Sequence, residues 1–232
     1  MKTFNPDLVV EVTSACNRAC PGCYAPNVVS NKSATELMEK DSSLFLSLQS
    51  LNETLMFWDQ ELPKVLSIRG GEPSLHPELH FILKRFRFFS REIVIETHGR
   101  WLLEKNRSSY EELIQTTLDA GIVVKISYDS MHGLSAEELM EITDYLDFRG
   151  GNYLIAITEN TTKEFEATRN TAMWIEDAKI LYQKKGKGFD ELIKPRLGVI
   201  NTSGILTSDL NSKFPRNESK TKSLMLSEVA AG

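Results

Sequence analysis

Cys16-Asn17-Arg18-Ala19-Cys20-Pro21-Gly22-Cys23-Tyr24 holds all 3 cysteines of a 232-residue chain. Bonding thiols this close in sequence makes poor disulfide geometry, and any pairing leaves one thiol over. Met1 to Asp7 is polar, with no apolar run resembling a secretory signal. The expected compartment is therefore reducing and cytoplasmic, and the thiols are read as metal ligands or reactive groups rather than staples. Zinc asks for a fourth protein ligand, and no other Cys or His lies near the stretch. An iron–sulfur cube accepts thiolates readily, and three of them leave one iron open to a substrate or cofactor. On these residues alone a zinc site, or a merely reactive or structural trio, stays open.

Leu8 to Thr13, with Pro6 just before it, reads as a strand. The cysteine loop thus hangs from the C-terminal end of a strand, where α/β barrels place their chemistry. Pro21 and Gly22 suit a tight loop whose backbone wraps a metal group. Thr35 to Leu51 reads as one helix, and Met56, Phe57 and Trp58 beyond it as core. Val65 to Ile68 is a short strand running into Arg69-Gly70-Gly71-Glu72-Pro73. Pro77 is expected to open a helix. That helix buries Leu79, Ile82, Leu83, Phe86 and Phe89 and turns Lys84, Arg85, Arg87 and Arg91 outward.

The remaining chain repeats the alternation. Strands are expected over Glu92–Glu96, Ile122–Ser127, Tyr153–Ile157 and Arg196–Ile200, and they end in polar turns. Those turns are Thr97-His98-Gly99, Tyr128-Asp129-Ser130 and Thr158-Glu159-Asn160. His132 sits in the second of these loops and reads as a bystander. Ser108 with Glu111, and Ser135 with Glu138, have the spacing of capping boxes that start helices, the first ended by Gly121. Glu164 to Lys184 is expected as a late helix, and Asn201 to Leu206 as a hairpin turn with a short return strand. Six strands alternating with helices predict a parallel α/β sheet. Residues 1–206 are read as one core domain and residues 207–232 as a polar tail, flexible or a flap.

Composition, with 41% hydrophobic and 25% charged residues, reads as soluble and globular. A net charge of −5 and a pI near 5.5 argue against nucleic acid as the main partner. No apolar run approaches the ~20 residues of a membrane span.

The C-x3-C-x2-C spacing followed by Tyr24, together with Gly70-Gly71-Glu72-Pro73 after the next long helical region, resembles the radical S-adenosylmethionine (SAM) superfamily, as a core-only member. The resemblance implies a partial (βα)6 TIM-like barrel with parallel strands. It implies a [4Fe-4S] cluster on Cys16, Cys20 and Cys23, and SAM as the second cofactor. Gly70, Gly71, Glu72 and Pro73 would hold the methionyl amine of SAM, since glycines let backbone carbonyls approach an ammonium and Glu72 offsets its charge. Tyr24 would lie near adenine, Thr97 near the bound SAM, and Ser127 and Asp129 on its ribose or carboxylate. His98, Glu159 and Asn160 are the expected substrate-side residues. The middle residue of Thr97-His98-Gly99 departs from the asparagine frequent in the family, which leaves the role of His98 open. Implied partners are a small-molecule or peptide substrate and a flavodoxin- or ferredoxin-type reductant docking on the basic helix face. Other readings are a glycyl-radical-enzyme activase and, from a different class, a non-catalytic iron–sulfur or zinc protein. A 7-carboxy-7-deazaguanine synthase is disfavoured by the missing lead-in before the cysteines.

Overall fold

The computed structural model describes residues 6–20, 23, 28–159, 164, 167–168, 180–185, 197–207 and 223–224. The chain divides into two compact units. The first contains Asn5–Ala19, Cys23–Ile93 and Phe189–Gly232; the second contains Met1–Phe4, Cys20–Gly22 and Val94–Gly188.

In the first unit, β1 (Leu8–Thr13) is buried along its whole length. Two short strands, β2 (Ala15–Cys16) and β3 (Val28–Val29), follow and pair in parallel. The expected single helix over 35–51 is instead broken in two, α1 (Ala34–Lys40) and α2 (Leu48–Met56). Local hydrogen bonding explains the break. Asp41 caps a 3-10 turn at Ser42–Leu44, Phe45 bridges Thr13, and Ser47 caps a fresh helix by accepting from the N–H of Ser50. The expected burial of Met56, Phe57 and Trp58 is also corrected. The helix buries Leu51 and Thr54, and its end turns Met56 out to 75% exposure. Phe57 is also exposed, and Trp58 is half-buried with its ring edge-on to Phe89 at 4.9 Å.

β4 (Val65–Gly70) lies parallel to β1, with Val10 opposite Ile68 and Glu11 opposite Arg69. The register slips between Glu11 and Thr13, so that Thr13 faces Gly70. Pro77 sits in a turn ahead of α3 (Leu79–Phe86) rather than in its first turn. This helix buries Leu79, Ile82, Leu83 and Phe86, while Phe89 is half-buried.

The second unit is built on β5 (Glu92–Thr97), whose last four residues belong to it. After β5 come α4 (Glu104–Arg107), a 3-10 turn at Ser108–Tyr110, and α5 (Glu111–Asp119). Ser108 therefore forms no capping box; it lies inside a continuous run of short helical turns that starts earlier than expected. β6 (Val123–Ser127), α6 (Ala136–Phe148) and β7 (Asn152–Glu159) follow. Here the Ser135–Glu138 capping box forms as the spacing predicts.

The late helix is corrected as well: its last residues form β8 (Ile180–Lys185), parallel to β7. A strand there satisfies the backbone along the open edge of β7, a tertiary demand that outweighs local helical spacing. The order within this unit is β5-β6-β7-β8, all parallel. β9 (Gly198–Ile200) then pairs in parallel with β1, in the first unit, rather than following β7 as a sixth strand. β10 (Leu206–Thr207) returns antiparallel to it across the expected hairpin, and β11 (Ser223–Leu224) pairs with β10. No described helix is long and apolar enough to cross a membrane.

Candidate functional site

The root of the cysteine loop is closed by backbone. The N–H of Val28 donates to the Ser14 carbonyl and that of Ser30 to the Cys16 carbonyl, both at 2.9 Å. These bonds join residues 14–16 to residues 28–30. Ala15, Leu37, Phe45 and Leu75 pack into a small apolar cluster beneath it.

The Gly-Gly-Glu-Pro stretch is docked on this same root. Gly71 N–H donates to the Thr13 carbonyl at 2.7 Å, and Glu72 N–H to the Ala15 carbonyl at 2.9 Å. Gly70 has φ +156°, and a Cβ there would meet the Thr13 carbonyl oxygen at 2.1 Å. Only glycine lets β4 end this close to the slipped register of β1. Pro73 opens a 3-10 turn at Pro73–Leu75, and the buried Glu72 carboxylate accepts from the Ser74 N–H and hydroxyl at 3.2 and 2.8 Å. Next along the chain, His76 is buried. Its Nε2 meets the Leu46 carbonyl at 2.8 Å and its Nδ1 accepts from Glu78 N–H. Burial lowers its pKa to about 4, so the ring is neutral and Nε2 donates.

No disulfide joins the thiols: Cys16 is buried, Cys20 intermediate and Cys23 exposed. Among the described residues no three His, Cys, Asp or Glu side chains form a group able to hold a metal ion. The fit to a cluster therefore rests on the chemistry and spacing of the donors. Three soft thiols with no further Cys or His near them in sequence suit an iron–sulfur cube with one open iron better than a closed zinc site. Tyr24 lies outside the described residues, as do Pro21 and Gly22.

In the second unit the strand ends carry the other expected residues. Thr97 Oγ1 accepts from Gly99 N–H at 3.0 Å and Trp101 Nε1 at 3.1 Å, which engages that hydroxyl with its own loop. His98 is buried and its Nδ1 accepts from Arg100 N–H. Gly99 adopts φ +77°, and a Cβ would press Ile126 and Ile142 at 3.3 Å. Below these turns Lys125 Nζ pairs with Glu96 Oε2 at 2.9 Å, both largely buried, across the β5–β6 register. Ser127, the last residue of β6, is half-buried. Asp129 is buried; its Oδ1 accepts from the N–H groups of Met131 and His132 and meets His132 Nδ1 at 2.7 Å. Glu159 is the last residue of β7, and Asn160 lies outside the described residues. The contact that sequence reasoning passed over is that of His132 with Asp129. The spacing of three between them, an ordinary turn interval, was the available signal.

No family model matches the chain, and no curated protein matches it by sequence. By structure it is similar to anSMEcpe, solved with a hexahistidine tag and bound AdoMet: TM-score 0.51 and 13% identity, over 80% of this chain and 50% of that one. Native anSMEcpe with bound AdoMet and the Kp18Cys peptide gives 0.49 and 15%, over 78% and 51%. Streptococcus suis SuiB bound to S-adenosylmethionine gives 0.43 and 13%, over 95% and 63%. The chain thus spans about half the length of the anSMEcpe chain, 50%. With the strand pairing described above, the first likeness establishes the fold class: α/β, with parallel strands as in a partial TIM-like barrel.

Proposed function

We propose that this chain is a radical SAM enzyme that abstracts hydrogen from a small-molecule or peptide substrate. The observation that carries the reading is the docking of Gly71 and Glu72 on Thr13 and Ala15 by two backbone hydrogen bonds. These bonds tie the Gly-Gly-Glu-Pro turn to the residues that lead into the cysteine stretch, as an ammonium-binding turn serving that stretch requires. A mere metal carrier has no use for such a turn, which weighs against the non-catalytic alternative. The AdoMet in the anSMEcpe structure of the same fold class supports the reading.

Cys16, Cys20 and Cys23 would hold a [4Fe-4S] cluster. When bound, the cluster supplies the electron that splits SAM into methionine and a 5′-deoxyadenosyl radical. The chain's own residues bind and orient. Backbone at Gly70 and Gly71, beside Glu72 and Pro73, receives the methionyl amine. Ser127 and Asp129 accept from hydroxyls of the nucleoside, Thr97 shapes the turn beside it, and Tyr24 packs against adenine. His98, Glu159 and Asn160 would be the substrate-side residues, while the protein around them keeps water and stray donors away from the radical. The exposed Lys84, Arg85, Arg87 and Arg91 on and just after α3 offer an acidic flavodoxin or ferredoxin a docking face.

Anaerobic reconstitution tests the proposal. The expected result is about four irons per chain and reductive cleavage of SAM, both lost in Cys20→Ala. Full cleavage by that variant would remove the ligand assignment. Charge reversal at Arg87 and Arg91 should slow reduction by flavodoxin and leave reduction by dithionite unchanged; equal slowing with both would remove the docking face.

A further inference from the structure

We infer that His132 is a positioning residue, one that presents a single oxygen of Asp129 as the acceptor for a hydroxyl-bearing ligand. The inference rests on the SAM reading, whose nucleoside carries a vicinal diol. The Asp129 side chain is only 1% exposed. Its Oδ1 is saturated: Met131 N–H donates at 3.0 Å, His132 N–H at 2.9 Å, and His132 Nδ1 stands at 2.7 Å. Its Oδ2 is buried and has no hydrogen-bond partner among the described residues.

A buried carboxylate oxygen without a donor is costly. The two oxygens of a free carboxylate exchange by rotation about χ2, which is a soft torsion. Three donors on Oδ1 break that symmetry and leave Oδ2 as the acceptor still to be satisfied. A hydroxyl satisfies it; an anionic group is repelled.

The turn that carries this pair is braced. Gly133 N–H donates to the Asp129 carbonyl at 3.3 Å. Arg100 donates through Nη2 to the Gly133 carbonyl and through Nη1 to Glu138, the capping-box residue of α6. Arg100 N–H in turn donates to His98. The loops after β5 and β6 are thus tied into one frame around Asp129. Ser127, two residues earlier, supplies a hydroxyl at the half-buried end of β6. A hydroxyl and a carboxylate oxygen two residues apart in the chain suit a ligand with two adjacent hydroxyls.

The test is SAM binding, measured by calorimetry on anaerobically reconstituted protein without reductant. His132→Phe should weaken binding about tenfold, the effect of one hydrogen bond to a charged group. His132→Asn keeps an amide N–H near the place of Nδ1 and should bind within about threefold of wild type. Adding His132→Phe to Asp129→Asn should change nothing further, because both act through one carboxylate. Iron content and melting temperature should match across the variants, and His132→Ser serves as the truncation if the phenylalanine variant misfolds. Wild-type affinity in His132→Phe, or no rescue by His132→Asn, would overturn the inference while leaving the SAM reading intact. Failure of the wild-type protein to bind SAM would instead remove the reading itself, and this inference with it.

Discussion

The root of the cysteine loop and the strand-end turns of the second unit solve one problem in two ways. At the root, backbone meets backbone: Gly70 and Gly71 let β4 end against Thr13, and the turn is pinned by main-chain bonds to Thr13 and Ala15. At the ends of β5 and β6 the work falls to side chains, through Arg100, Asp129, His132 and Glu138. Backbone contact that close admits few residues, so it leaves a mark in sequence. A side-chain frame can be assembled from common polar residues at ordinary turn spacings, and leaves almost none.

The contrast breaks most sharply at Gly70. Gly70→Ala drives a Cβ to 2.1 Å from a carbonyl oxygen at positive φ. We expect a loss of at least about 3 kcal/mol in urea unfolding. A loss below about 1 kcal/mol would mean that the turn is not held as described. In the second unit, Lys125→Met removes the ammonium paired with the largely buried Glu96 carboxylate and should cost about 3 kcal/mol, a figure to be read from the same unfolding curve. A neutral outcome would mean that water reaches the pair.

Acid sharpens the comparison further, because His76 belongs to the first unit alone. Its pKa in the fold is about 4, against 6.5 when unfolded. The folded state therefore binds fewer protons in this window, and stability rises with pH. The His76 contribution is complete above pH 6.5 and is lost as pH falls from 6.5 toward 4, by at most about 3 kcal/mol. His76→Gln keeps the donor to the Leu46 carbonyl and should flatten that part of the stability–pH curve. An unchanged slope would reassign the acid sensitivity. The smallest effect is expected from Ser135→Ala, about 1 kcal/mol for loss of one side of the capping box. A change in melting temperature too small to resolve would mean that α6 draws its stability from packing instead.

Legibility followed the same line. The strands expected over 8–13, 65–68, 92–96, 122–127 and 153–157 announced themselves by compact apolar, largely β-branched runs, and strands form there with ends shifted by no more than two residues. The thiols and the Gly-Gly-Glu-Pro turn stood out as rare residues at meaningful spacing. What escaped was tertiary. Nothing local in Ile180–Lys185 says that the edge of β7 will recruit it as a strand. The bridge of Phe45 to Thr13 that splits the first helix cannot be read from helical spacing. His132 looked idle because its partner, Asp129, is an everyday turn residue.

The central claim is that three thiols and an ammonium-binding turn serve one radical reaction. Anaerobic reconstitution followed by SAM and dithionite tests it directly, with 5′-deoxyadenosine read by chromatography. The account predicts 5′-deoxyadenosine from wild type and none from Cys20→Ala. Protein that holds zinc or no metal, and leaves SAM intact under oxygen-free reduction, would contradict it.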